Sequence, residues 1–203
     1  MYAVMIFGIP GAGKSTQAQK LMDVYPFTHI ETSALIWEAL GARNDCYALL
    51  PDGTRVDLDE QERRMNAGEL TNAVWVFDLV CRAIEKAADV KRSIVLSGFP
   101  RRVIVAQKFL PVLEKHFGQR LTVFLLEIPR EEAERRVYAR GRALDEHFLR
   151  HMQIFEEETK PVFEWLAGQG LFVYRIDGTK AEEKIAAEIA QIVFTKPKKD
   201  GYS

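Results

Sequence analysis

A glycine-rich segment near the beginning of the sequence, Gly8-Ile-Pro-Gly-Ala-Gly-Lys-Ser15, restricts the possible folds of this chain more than any other feature. It fits the pattern G-x-x-x-x-G-K-[ST], in which backbone N–H groups bind phosphates. That pattern works where a buried strand precedes it and a helix follows it. The apolar run Tyr2 to Phe7 predicts the strand, and a helix is expected from Lys14 to about Val24. The segment is therefore predicted to be a phosphate-binding loop.

Each part of this loop has an expected task in binding a nucleoside triphosphate. Its glycines allow backbone N–H groups to turn towards the phosphates, and the helix N-terminus adds a partial positive charge. Lys14 is expected beside the β- and γ-phosphates, and the Ser15 hydroxyl on Mg²⁺. The residues predicted to bind ATP here are Gly11, Ala12, Gly13, Lys14, Ser15 and Thr16.

Apolar runs and helical patterns alternate along the rest of the chain. Beyond the first strand, strands are predicted at 28–30, 93–97, 121–127 and 171–176. Helices are expected at 33–40, 71–88, 103–117, 131–139, 145–167 (bent at Pro161) and 181–194, and a small inserted hairpin at 44–57. Because the strands are apolar on both faces, we expect an α/β fold with a doubly wound parallel sheet of five strands.

A second chemical signal, Ser97-Gly-Phe-Pro-Arg101, comes directly after the predicted strand at 93–97. In an open α/β sheet, ligands bind at the carboxyl ends of the strands. Gly98 permits close backbone approach there, and the planar guanidinium of Arg101 suits a phosphate. Together with the phosphate-binding loop, this segment predicts a second phosphate position.

Composition excludes several other classes of protein. The 203 residues suit one domain, and 28 Lys plus Arg against 29 Asp plus Glu argue against a protein that coats nucleic acid. No apolar run approaches the ~20 residues that cross a bilayer. The histidines and cysteines have no metal-ligand spacing. We expect a cytoplasmic monomer without nucleic-acid or membrane partners, with one domain at 1–195 and a flexible basic tail at 196–203.

Several segments, in order along the chain, resemble motifs of the adenylate kinase family of nucleoside monophosphate kinases. The segment Gly8 to Thr16 resembles the opening motif of that family, and Gly98-Phe-Pro-Arg101 resembles its second motif. Four further segments are similar to the family's nucleotide-contacting parts: His29-Ile-Glu-Thr32, Gly68-Glu-Leu70, Glu134-Arg-Arg-Val-Tyr-Ala-Arg140 and Asp177-Gly-Thr-Lys180. The resemblance covers residues 1 to about 195.

The resemblance implies an activity and the residues that perform it. A kinase of this type moves the γ-phosphate of ATP to a nucleoside monophosphate, above all AMP, with Mg²⁺, and gives two nucleoside diphosphates. The implied catalytic cations are Lys14, Arg101, Arg140 and Arg142, with Arg140 and Lys180 also near the donor adenine. The implied acceptor-binding residues are Thr32, Trp37, Glu69, Leu70, Gly98 and Arg101. An acceptor-binding insertion at about 32–70 and a short lid at about 140–146 complete the expectation.

The chain departs from the family pattern at four positions. Trp37 stands where the family usually has an arginine, and it is a candidate to stack on a base or to pack in the core. Val105 stands where the family has the glutamine that reads adenine, and Gln107 comes two residues late. Ser97 replaces an aspartate that helps to organise Mg²⁺, so its hydroxyl is expected to hold a metal-bound water. His151 takes an arginine position.

Two other functions stay open at this point. Trp37 and Val105 favour a small kinase with a phosphate-binding loop that acts on a different acceptor. Ser97 favours a nucleotide-binding regulator with little catalysis. Turnover with a panel of acceptors separates the three, because acceptor-dependent ADP production indicates an enzyme and binding without turnover indicates the regulator.

Overall fold

A parallel sheet organises the part of the chain that the structure describes, residues 1–141 and 147–195 of a computed structural model. The strands are β1 Ala3–Gly8, β2 Phe27–Glu31, β3 Tyr47–Leu49, β4 Arg55–Asp57, β5 Ser93–Ser97, β6 Leu121–Glu127 and β7 Val173–Asp177. Strands β2, β5, β1, β6 and β7 lie side by side in that order, and each neighbouring pair is parallel. The expected five-stranded parallel sheet is confirmed. Strands β3 and β4 form the inserted hairpin.

Helices connect the strands and cover the sheet. They are α1 Lys14–Val24, α2 Thr32–Gly41, α3 Leu58–Asn66, α4 Ala73–Asp89, α5 Val103–Phe117, α6 Arg130–Arg140, α7 Phe148–Ile154, α8 Lys160–Gly168 and α9 Glu182–Phe194. The helix predicted at 145–167 is present over most of its described residues as α7 and α8, which a π-helical turn at Phe155–Thr159 joins. Proline has no N–H to give to the preceding turn, which explains why the helix departs from regular geometry just before Pro161.

Alternate side chains of each central strand pack on opposite faces of the sheet. In β1, Met5 and Phe7 belong to one buried apolar cluster, and Val4 and Ile6 belong to another. Helices α2, α4, α5 and α8 and the hairpin contribute to the first cluster, and α1, α6, α7 and α9 contribute to the second. Because both faces are covered, the strands need apolar residues at consecutive positions, as the sequence has them.

The sheet topology determines where a ligand can bind. Strands β1 and β5 are neighbours, and the helices that follow them lie on opposite faces, since α1 packs in the second cluster and α5 in the first. A crevice therefore opens beyond the carboxyl ends of β1 and β5. The predicted lid falls mostly outside the described residues, at 142–146, and so does the tail at 196–203. Within the described ranges, no helix is long and apolar enough to span a bilayer.

Candidate active site

A cavity of about 590 Å³ occupies this crevice. The predicted site residues that line it are Gly11, Gly13, Lys14, Ser15, Thr16, Thr32, Trp37, Glu69, Leu70, Ser97, Gly98 and Arg101. Two others do not line it: Ala12 is buried beneath the loop, and the Nζ atom of Lys180 lies 2.8 Å from Oε2 of Glu188. Arg142 and the side chain of Arg140 lie outside the described part of the chain.

The phosphate-binding loop follows β1 and opens α1, as the motif requires. Gly11 and Gly13 have φ angles of 81° and 93°, a region that side chains other than hydrogen disfavour. A Cβ on Gly11 would lie 2.6 Å from the carbonyl oxygen of Ala133, whereas Gly13 faces open space. The ammonium of Lys14 donates hydrogen bonds to the carbonyl oxygens of Gly8, at 2.9 Å, and Ile9, at 3.0 Å. The charge of Lys14 is thus held over the loop.

Arg101 stands at the second predicted phosphate position. Its Nε donates a hydrogen bond to the carbonyl oxygen of Gly98, at 3.0 Å, which folds the side chain back over its own turn. The Thr32 hydroxyl donates to the carbonyl oxygen of Ser97, at 3.2 Å, and so joins the start of α2 to the end of β5. Loss of water around the guanidinium lowers the pKa of Arg101, but an arginine still carries its charge at neutral pH.

The Ser97 side chain is engaged by a residue that the sequence reasoning did not single out. The Nε2 atom of His29 and the hydroxyl oxygen of Ser97 are hydrogen-bonded at 2.8 Å. Burial lowers the pKa of His29, and the carboxylate of Glu31 partly opposes that shift. His29 is therefore uncharged at neutral pH. The signal that could have found this pair is the parallel pairing of β2 with β5, which requires the strand order.

The acceptor side of the cavity is largely apolar. Val105 is buried and lines the cavity together with Val76 and Phe99, which belong to the same apolar cluster. Trp37 is half-buried, lines the cavity and packs against that cluster, so its packing in the core is observed and its stacking on a base stays a prediction. Gln107 is exposed and does not line the cavity. Gln107 therefore does not take the place of the glutamine that the family has at the position of Val105.

Several further contacts tie the second half of the chain to the predicted acceptor side. The Nε2 atom of His147 lies 2.8 Å from the carbonyl oxygen of Asn66, and Arg150 donates to the carbonyl oxygen of Ala67, at 3.0 Å, and to Glu69, at 2.9 Å. Arg102 forms a two-point ion pair with Glu158, at 3.0 and 3.2 Å. Sequence spacing could not predict these contacts, because the partners are 56 to 83 residues apart.

Oxygen atoms suited to Mg²⁺ also line the cavity. Among the lining residues, Ser15 and Ser97 carry hydroxyls and Glu31 carries a carboxylate. No group of three or more histidine, cysteine or acidic side chains within the described ranges could hold a metal ion alone. Mg²⁺ prefers oxygen ligands and commonly keeps several waters beside substrate phosphates. The donor set therefore fits an ion held chiefly by nucleotide phosphates and water.

Comparison with known proteins identifies the family that this site belongs to. The family model of adenylate kinase matches residues 6–171, a stretch that contains both phosphate-binding segments. The chain belongs to the adenylate kinase family. Among its relatives, an adenylate kinase of Prochlorococcus marinus is 30% identical over 188 residues, which are 92% of this chain and 94% of the relative. Adenylate kinase 1 of Synechocystis is 31% identical over 94% of this chain and 96% of its own.

A third relative has a similar level of identity. An adenylate kinase of Mycolicibacterium paratuberculosis is 32% identical over 168 residues, which cover 82% of this chain and 86% of the relative. The similarity to adenylate kinases thus extends well beyond the phosphate-binding loop, and both sides of the cavity lie within the matched residues.

Proposed function

We propose that this adenylate kinase family member transfers the γ-phosphate of ATP to a nucleoside monophosphate, with AMP as the expected acceptor. One observation carries the proposal: the phosphate-binding loop and the Ser97–Arg101 segment line the same cavity. Two phosphorylated ligands can therefore meet within it. The relatives' name, adenylate kinase, supports ATP and AMP as the pair.

The transfer requires charge neutralisation and alignment more than covalent chemistry. Lys14 supplies a cation at the loop, where it exchanges its two carbonyl partners for phosphate oxygens when ATP binds. Arg101 supplies the opposing cation, and its fork suits two oxygens of the acceptor phosphate. Arg140 and Arg142 are proposed to complete the charge around the transferring group. Lys180, held by Glu188 in this structure, is proposed to lie beside the donor adenine.

The proposed cofactor is Mg²⁺, held by ATP, the Ser15 hydroxyl and water contacts to Ser97. When bound, the ion neutralises phosphate charge and fixes the geometry of the triphosphate. Thr32, Trp37, Glu69, Leu70 and Gly98 are proposed to line the acceptor side. We further propose that the protein acts as a monomer in the cytoplasm, without membrane or nucleic acid as partners.

A coupled assay with a panel of acceptors tests the proposed function. ADP production from ATP is measured with AMP, GMP, IMP, CMP, UMP and no acceptor, and product chromatography identifies the second nucleoside diphosphate. The proposal predicts ADP production that depends on the acceptor, with AMP among the best. Nucleotide binding without turnover on any acceptor would instead support the regulator considered above.

A further inference from the structure

Strands β2 and β5 end side by side, and their last residues are Glu31 and Ser97. These two residues are paired in the register of the parallel ladder. Paired residues of neighbouring strands point to the same face of a sheet. Ser97 follows Val95 by two positions, and Val95 belongs to the cluster that packs against α1. Glu31 therefore shares the face of the sheet from which the phosphate-binding loop enters α1.

Glu31 and Ser97 reach the same cavity from the ends of their two strands. Both residues line it, and Glu31 is half-buried. The Glu31 charge acts on the imidazole of His29, and that imidazole is hydrogen-bonded to Ser97 at 2.8 Å. The hydroxyl of Ser33 donates to Oε1 of Glu31 at 3.3 Å. A carboxylate thus lies one strand away from the hydroxyl that ends β5, on the same face of the sheet.

We infer that Glu31 supplies the carboxylate of the metal side of this site and acts together with the hydroxyl of Ser97. The inference rests on the proposed function, since it assumes Mg²⁺-bound ATP in the loop. A hydroxyl can orient a metal-bound water but cannot offset the charge of the ion. A carboxylate one strand away offsets that charge and accepts hydrogen bonds from the metal-bound waters. In this register pair, Glu31 would offset the charge of the metal ion and Ser97 would orient a metal-bound water.

A purely structural task for Glu31 makes a different prediction. Glu31 directly precedes α2, and a negative charge at a helix N-terminus stabilises the helix. Removing such a charge lowers the stability of the fold and weakens the binding of all ligands alike. Removing a metal-side carboxylate has opposite effects on two ligands. The metal-bound nucleotide binds less well, whereas the metal-free nucleotide binds equally well or better because a charge that repels its phosphates is gone.

The test measures metal binding directly and needs no acceptor. Mn²⁺, a spectroscopic substitute for Mg²⁺, is titrated into the protein with a non-hydrolysable ATP analogue, and free Mn²⁺ is followed by electron paramagnetic resonance. Glu31→Gln is expected to weaken Mn²⁺ binding by about tenfold, the lower end for groups that support metal ligands. Its affinity for the analogue in EDTA should be unchanged or higher. Glu38→Gln, which removes an exposed carboxylate of α2, is the matched control. It should change neither the Mn²⁺ affinity nor the affinity for the analogue in EDTA.

A second variant moves the carboxylate back to the neighbouring strand. Glu31→Gln combined with Ser97→Asp is expected to recover most of the lost Mn²⁺ affinity, which a loss of folding could not produce. Equal Mn²⁺ affinity in the parent and Glu31→Gln, or parallel losses with and without metal, would overturn the inference. Absence of phosphoryl transfer in the parent would overturn the proposed function alone, because the metal titration is independent of turnover.

Discussion

Among the cavity residues, Arg101 is expected to contribute most to binding of the acceptor phosphate. Its guanidinium is folded over Gly98 and lines the cavity opposite the loop. Arg101→Lys keeps the charge but loses the planar fork, so we expect acceptor KM to rise about tenfold, the effect of losing one charge-assisted hydrogen bond of ~1.5 kcal/mol. The KM for ATP should change less than twofold. Separate titrations of the two substrates check this, and equal losses for both would contradict an acceptor-side role. Exposed Arg92→Lys is the control.

Val105 is part of the apolar wall against which the acceptor base is proposed to lie. An apolar wall discriminates between similar ligands only by about 10- to 200-fold, whereas a site that hydrogen-bonds the ligand discriminates far more strongly. Val105→Gln places an amide in this wall, and we expect the ratio of kcat/KM for AMP over IMP to increase at least tenfold. Gln107→Ala, two residues along and exposed, should leave the ratio unchanged. A ratio that does not move in Val105→Gln would show that the base lies elsewhere.

At the scale of elements, the junction of β2 and β5 gives the molecule a pH dependence. Burial lowers the pKa of His29 in the folded state, so the unfolded chain binds more protons below about pH 6.5. The stability that neutral His29 contributes is present above that pH and is lost as pH falls towards the folded-state pKa. Urea unfolding of the parent and His29→Gln between pH 7.5 and 5 should show a shallower acid loss in the variant.

A second histidine variant serves as the control for these unfolding curves. His116→Gln, at the end of α5, should retain the acid loss of the parent. Identical curves for the parent and His29→Gln would mean that the imidazole is as well solvated in the folded state as in the unfolded chain.

The loop between α3 and α4 is held by α7. Gly68 has a φ of 67°, and a Cβ there would lie 2.5 Å from the Cβ of His147. Gly68→Ala therefore adds a steric clash to the ordinary strain of a positive φ, and we expect acceptor KM to rise about fivefold or more and the melting temperature to fall. Gly170→Ala is the matched control, since Gly170 has a φ of 80° but open space around it. Similar behaviour of both variants would contradict a specific contact with α7.

The elements of the sheet were predictable because their signal is local. Apolar runs predicted four of the five parallel strands, residues 28–30 were predicted as a short second strand, and Pro51-Asp-Gly53 predicted the hairpin. Helix α3 was not predicted, since most of its residues are polar and only Leu58 and Gln61 are buried. It is held instead by the Asp57 carboxylate, which accepts from the N–H of Glu60 at 2.9 Å, and by Gln61, which accepts from the N–H of Asn72 at 2.7 Å.

The site was predictable to the extent that motifs carry it. Both phosphate-binding segments could be found from the sequence, because a short pattern contains the glycines and cations that the chemistry needs. The partners of these residues could not. The pair of His29 with Ser97, and that of Glu31 with the same strand end, depend on β2 lying next to β5 rather than next to β1. Strand order is a property of the packed sheet, so short sequence patterns do not predict it.

At the scale of the whole molecule, two neighbouring strands of one sheet bring a phosphate-binding loop and an arginine to a single cavity. The loop after β1 provides backbone N–H groups and Lys14, and the turn after β5 provides Arg101. The apolar wall around Val105 and Trp37 lines the predicted acceptor side of that cavity. Although the net charge of the chain is −1, the cations of Lys14 and Arg101 line the same cavity, which is the proposed meeting place of the two phosphates.

The formation of ADP from ATP and AMP by the parent and by Lys14→Met tests the central claim most directly. Methionine keeps much of the volume of lysine but removes the cation that stabilises charge on the transferring group. Both proteins are assayed with Mg²⁺ at saturating substrates, after thermal unfolding confirms that they fold alike. The account predicts two ADP molecules for each ATP consumed by the parent, and turnover at least about 100-fold lower in Lys14→Met. Near-normal turnover in a folded Lys14→Met protein would contradict it.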